Sequence, residues 1–238
     1  MSPTTSELRE LLERRFPGTS ASVMPSYAPL SSGVAAVDEL VSGGLRPGTL
    51  SLFSGGLSSG KTGLALAFVA HLCRDRDSAA WLHGGSFSAP SAAHGGVALE
   101  ALLQVRAQGR PQAQRCLDIL LRRRAFDLVV VDWDWPAAQS SFWQRLRTLL
   151  HGSETALLVL SAPLPEASPL RFMAALHLHV IRRWQDSSPG GLVEVFLEKS
   201  RFSAPGGNVQ LPYGNASGPF AIAAELPGLG QQWHEESG

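Results

Sequence analysis

Eight consecutive residues, Gly55-Gly56-Leu57-Ser58-Ser59-Gly60-Lys61-Thr62, satisfy the spacing G-x-x-x-x-G-K-[ST] at every fixed position. In that spacing the glycines let the backbone wrap a phosphate chain, while its N–H groups and the N-terminus of a following helix supply positive potential. The Lys61 ammonium then reaches the β- and γ-phosphates, and the Thr62 hydroxyl is placed to hold Mg²⁺. The flanks suit that reading. Thr49-Leu50-Ser51-Leu52-Phe53 is a short apolar, β-capable stretch, and residues 63–72 repeat apolar side chains at helical spacing, so the loop joins a strand to a helix. A chance glycine-rich turn lacks such neighbours. A second chemical element is the run Val129-Val130-Val131-Asp132. A carboxylate at the C-terminal end of a buried parallel strand sits in the ligand crevice, where it orients the shell of a Mg²⁺ ion. Asp132 is the expected metal-side acid, and Asp134 is the alternative for that single position.

These residues need a scaffold, and the composition bounds it. The chain has 238 residues, 44% of them hydrophobic and 17% charged, enough to bury one substantial core in one domain. Lys plus Arg equals Asp plus Glu at 20 each, so nothing global advertises a polyanionic partner and any nucleic-acid contact must be local. The two cysteines, Cys73 and Cys116, fall in helix-like segments with no CxxC and no His/Cys cluster, which fits a reduced cytosol and argues against a metal–thiolate site. Met1 to Thr5 has neither a basic nor an apolar leader region, and no stretch approaches the length of a membrane span. The expected location is cytoplasmic, with no membrane contact.

Along the chain, Leu8, Leu11, Leu12 and Phe16 make one apolar face of a helix over Ser6 to Phe16, which Pro17-Gly18 stops. Ala21-Ser22-Val23-Met24 is a short extended piece ahead of Pro25. A helix that short needs a surface to pack on, and periodicity leaves open whether that is its own core or a neighbouring subunit. Val34, Val37, Leu40 and Val41 form a further helical stripe. After the loop's helix the pattern alternates: strand at 79–82, helix at 112–124, strand at 128–131, helix at 140–150, strand at 156–160. Continuous apolar strands alternating with helices predict an α/β fold, a parallel sheet covered by helices on both faces. Leu192 to Leu197, Val209 to Pro212 and Phe220 to Ala223 are short strands between Gly/Pro turns, an antiparallel extension at a sheet edge. From Ala224 the chain is rich in Gly and Pro, a flexible tail or a partner-binding peptide. Arg122-Arg123-Arg124, Arg145/Arg147 and Arg182/Arg183 form a DNA-facing patch only if they converge; otherwise they are solvated element ends.

Ser32-Gly33-Val34-Ala35-Ala36-Val37-Asp38-Glu39-Leu40, Gly43-Gly44-Leu45-Arg46-Pro47-Gly48 and Ser58-Ser59-Gly60-Lys61-Thr62 together resemble the lead-in and phosphate loop of the RecA recombinase family. Leu11 to Met24 looks like that family's N-terminal helix and subunit-joining strand. Glu198-Lys199-Ser200-Arg201-Phe202-Ser203-Ala204-Pro205 resembles its basic pair before Ala-Pro, and Leu211-Pro212-Tyr213-Gly214 its Tyr-Gly turn. The resemblance implies a RecA-like phosphate-loop core over 31–223, an N-terminal helix and subunit-joining arm over 1–30 and a flexible tail over 224–238. It implies a homo-oligomer joined through Val23 and Met24, ATP or ADP with Mg²⁺ on Gly55 to Thr62 and Asp132, and Lys199 and Arg201 as contacts to a neighbour's triphosphate.

The departures from that pattern are as informative. Where the family carries a catalytic glutamate, the chain reads His83-Gly84-Gly85-Ser86, and where it ends a strand in a polar sensor the chain reads Ser161-Ala162-Pro163. The two loops that carry single-stranded DNA in the family are cut to Trp133-Asp134-Trp135-Pro136 and Ala162-Pro163-Leu164-Pro165-Glu166, with almost no basic residues. Strand exchange is therefore not expected. A truncated RecA-like chain with these losses resembles the ImuA family, accessory factors of bacterial DNA-damage-induced mutagenesis. That resemblance implies a role in translesion synthesis, with an ImuB-like polymerase subunit and RecA as partners, weak or indirect DNA binding, and little or no ATP hydrolysis. On this reading Trp133 and Trp135 are candidate partner contacts. The competing reading is an active RecA- or KaiC-like ATPase acting on DNA, in which another group, such as His83, replaces the missing base.

Overall fold

Five residues buried at every position, Leu50–Ser54, form strand β1 near the middle of the sheet in the computed structural model, which describes residues 27–74, 77–133, 140–183, 191–204 and 206–213. Helix α1 (Ala35–Leu40) precedes it, held by Asp38, whose carboxylate accepts from Ser31 Oγ, Ser32 N and Ser32 Oγ at 2.6–2.8 Å. The chain then runs α2 (Lys61–Arg74), β2 (Ala79–His83), α3 (Ala89–His94), β3 (Leu102–Arg106), α4 (Arg110–Arg123), β4 (Leu128–Asp132), α5 (Ser140–Leu150) and β5 (Ala156–Ser161). It closes with α6 (Pro169–Met173), β6 (Leu176–Arg183), β7 (Gly191–Ser200) and β8 (Asn208–Tyr213).

Among the described residues the eight strands make one sheet in the order β3-β2-β4-β5-β1-β6-β7-β8. Neighbours from β3 to β6 are parallel, and β7 and β8 add antiparallel edge strands. This is the expected α/β architecture. The strands bury both faces, which explains their continuous apolar runs. Phe53, Trp81, Val130 and Leu178 face Leu64 and Phe68 of α2. Leu52, Leu82, Val131 and Val159 face Leu117 of α4 and Trp143 and Leu146 of α5.

Three elements bearing on the site are absent from the sequence expectation: α3, β3 and β6. β3 is an edge strand with Leu103, Gln104 and Arg106 exposed, so it lacks the apolar run that marks a buried strand. β6 reads Leu-His-Leu-His-Val-Ile-Arg-Arg, with His177 buried and His179 half-buried. The sheet accordingly has one more parallel strand on each side than the alternation predicts. The N-terminal helix, Val23, Met24, Asp134, Trp135, Gly214, the strand at 220–223 and the tail lie outside the described residues. No described helix is long and apolar enough to cross a membrane.

Candidate nucleotide-binding site

β1 ends at Ser54 and the chain enters the loop at once, with the Gly55 N–H donating to Ser161 O at 3.2 Å. Two glycines are there for space. A Cβ on Gly55 would stand 2.4 Å from Val180 O, and one on Gly60, whose φ is +98°, would stand 2.8 Å from Val193 Cγ2. Ser58 also takes a positive φ, +55°. Around Gly56, by contrast, nothing lies within 4 Å of where a Cβ would be, so the loop's outer turn is open. Lys61 opens α2 and folds back to donate to Gly55 O at 3.3 Å and Gly56 O at 3.0 Å, which closes the loop around its own ammonium. The first turn of α2 carries no acidic residue, so its N–H groups keep their positive potential.

A cavity of about 300 Å³ opens over this loop. Ser58 to Gly63 and Leu66 form one wall, Ser86, Phe87, Ser88 and Ser91 a second, and Arg182 a third. Two cations, Lys61 and Arg182, and no carboxylate line it. Ser59 Oγ is buried beside Gly55 without a hydrogen-bond partner among the described residues. Open backbone, cationic walls and an unfilled hydroxyl fit a nucleoside phosphate. Thr62, exposed in the first turn of α2, and Asp132, at the end of β4, are the residues that would hold its Mg²⁺. The metal would neutralise phosphate charge there. Ser86 Oγ donates to Asp132 Oδ2 at 3.1 Å and so ties the β2 side of the cavity to the metal side.

His83 sits beside Asp132 in the β2–β4 register, yet its geometry is not that of a base. The ring is buried, its Nδ1 accepts from the N–H groups of Gly85 (3.0 Å) and Phe87 (3.4 Å), and its Nε2 faces the Gln104 amide at 2.9 Å. Burial pushes its pKa down, more than neighbouring Asp132 pulls it up, and Arg106 lowers it further. With Nδ1 accepting, the neutral ring carries its proton on Nε2 and needs the Gln104 carbonyl oxygen opposite it. Both ring nitrogens are thus committed to holding the turn after β2.

The remaining sequence candidates fall elsewhere. Trp133 is half-buried, packs against the α4/α5-side core and lies close enough that a Cβ on Gly84 would meet its ring at 3.0 Å. Arg201 lies at the opposite end of the sheet from the loop, its N–H donating to Ala175 O, whose own N–H donates to Leu50 O at the start of β1, while Lys199 pairs with His177, level with the middle of β1. Lys199 Nζ donates to Arg171 O (3.0 Å) and Phe172 O (2.7 Å), closing the end of α6. Arg201 borders a separate cavity of about 600 Å³ with Arg147 and His151. Two of the three arginine groups come together, Arg122 and Arg145 meeting at Asp118, whereas Arg182 and Arg183 end β6 beyond the loop.

Ser86, Phe87, Ser88, Ser91 and Arg182 are among the cavity residues that motif reading misses. Arg182 was visible as one of a basic pair, and recognising β6 with its two-residue alternation would have aimed it at the loop.

The RecA N-terminal domain family matches residues 20–138. Among solved structures, that of the RadB recombinase superposes with a TM-score of 0.65 at 22% identity, covering 78% of this chain and 96% of that one, a likeness of fold. No curated protein matches significantly. With the phosphate loop, the Asp132 strand and the parallel sheet all inside or adjoining the matched half, the chain belongs to the RecA N-terminal domain family.

Proposed function

We propose that this protein is a RecA-like accessory factor of DNA-damage-induced translesion synthesis, which binds Mg²⁺–nucleotide, assembles with itself and holds an ImuB-like polymerase subunit, with RecA as a further partner. The observation that carries the reading is the contrast between the elements that surround one cavity. The loop, Lys61, Thr62 and the Asp132 strand are intact, while the turn after β2 offers a locked, neutral His83 and serines. Orienting the attacking water is what converts binding into turnover, so nucleotide acts here as an assembly ligand. The partner identity rests on the ImuA resemblance. The position of Arg201 supports self-assembly: it lies at the far end of the sheet from its own loop, so a phosphate it contacted would belong to another copy.

The test is a titration with a nonhydrolysable ATP analogue and Mg²⁺, with turnover of ATP measured on the same preparation with and without single-stranded DNA. Binding is expected, weakened by about tenfold or more in Lys61→Ala, because a charge-assisted contact is lost. Turnover is expected on the order of 10⁻³ s⁻¹ or slower, as for phosphate-loop sites lacking their full catalytic set. DNA binding is expected to be weak and to fade with salt, given zero net charge and an arginine pair, Arg122 and Arg145, that meets on the Asp118 carboxylate. Fast, DNA-stimulated hydrolysis moves the protein to the motor class. Failure to retain a purified ImuB-like subunit removes the accessory role.

A further inference from the structure

Arg182 stands two positions beyond Val180 on β6, and alternate residues of a strand share a face. Leu178 and Val180 pack on the α2 side, so Arg182 continues that face. β6 runs parallel to β1 with His179 opposite Ser54, the last residue of β1. Arg182 therefore lies three residues past the level at which β1 gives way to the loop, about 10 Å further along. This overhang brings the half-buried side chain to the wall of the cavity floored by Ser58 to Thr62. Asp132 approaches from the other flank, because β4 is separated from β1 by β5 whereas β6 is β1's neighbour on the opposite side.

We propose that Arg182 is a phosphate-binding residue acting within its own chain, its guanidinium holding α- and β-phosphate oxygens of a bound nucleoside di- or triphosphate on the flank away from the metal. This rests on the nucleotide-binding reading of the loop. A guanidinium offers a planar fork of donors that matches two phosphate oxygens at once, which the Lys61 ammonium cannot do. Together Lys61 and Arg182 present two positive charges to a Mg²⁺–triphosphate carrying two negative ones. The next residue, Arg183, is ion-paired with Glu194 and serves as a neighbouring control.

Fluorescence titration with mant-ADP and mant-ATP in Mg²⁺ tests this on wild type, Arg182→Ala, Arg182→Lys, Arg183→Ala and Lys61→Ala. Arg182→Ala is expected to weaken both nucleotides by about tenfold or more and by similar factors, Arg182→Lys to recover part of the loss, and Arg183→Ala to bind like wild type. The rise in thermal midpoint on adding ADP should shrink in the same order. If Arg182→Ala does not fold, Arg182→Gln carries the same comparison. A wild type that binds and responds to Lys61→Ala but not to Arg182→Ala overturns this proposal alone. A loss confined to mant-ATP overturns it too, by placing Arg182 on the γ-phosphate. A wild type that binds neither nucleotide overturns both readings.

Discussion

Ser54 Oγ, the last hydroxyl before the loop, stands 2.8 Å from His177 Nε2 and 3.1 Å from His179 Nδ1. One hydroxyl has one proton to give, so at least one of the two rings must donate to it. Burial, reinforced by Arg171, His179 and Lys199, holds the His177 pKa at about 4, below the ordinary 6.5. The unfolded chain therefore binds the extra proton first, and stability is full above pH 6.5 and declines as pH falls toward 4. At about 1.4 kcal/mol per unit, the loss approaches roughly 3 kcal/mol. The thermal midpoint should drop across that window, and His177→Gln should flatten the drop; an unchanged slope in the variant would assign the effect to other groups. Lys61 and Thr62 were legible in the sequence because their chemistry is carried by consecutive residues. Ser54 and His177 are 123 positions apart, and only the strand order makes them a unit.

At the scale of elements, the sequence showed the apolar strands and missed those whose side chains answer to a neighbour. β3 escaped because an edge strand need not be apolar, and β6 because its histidines are satisfied by Ser54 instead of by hydrocarbon. The coupling between elements was equally invisible: Val193 of β7, an antiparallel strand, fills the space that a Cβ on Gly60 of the loop would need. Gly60→Ala combines that 2.8 Å encounter with a φ of +98°, which non-glycine residues rarely adopt, at a cost of roughly 1–3 kcal/mol for the backbone alone. The variant is expected to melt several degrees lower and to bind nucleotide more weakly. Adding Val193→Ala should recover part of the binding, because it removes the clash and leaves the backbone strain. If the double variant binds no better than Gly60→Ala, the loop's shape does not depend on β7.

For the whole molecule, an open sheet poses the question of what meets its edges. β3 leaves one side of its backbone unpaired among the described strands, with Leu103 45% exposed, the kind of apolar edge that proteins cover or use. The sequence around Val23 and Met24 reads as one that would add to such an edge, and the loop and Arg201 occupy opposite ends of the sheet, so a neighbour pairing along an edge would also bring the two together. Assembly of that head-to-tail kind buries a different patch on each partner and grows rings or filaments. Removing residues 1–24 is expected to give monomers in sedimentation velocity. That deletion alone does not separate an arm docked on a neighbour from one docked on its own core, since loss of either disturbs the chain. Leu103→Lys separates them: it leaves the arm intact and puts a charge on the edge, so a full-length Leu103→Lys protein should also sediment as a monomer while keeping its thermal midpoint within a few degrees of wild type. Full-length protein with Leu103→Lys that assembles normally would mean the arm docks away from β3, and a truncated protein that sediments like the intact one would mean that assembly does not use the arm at all.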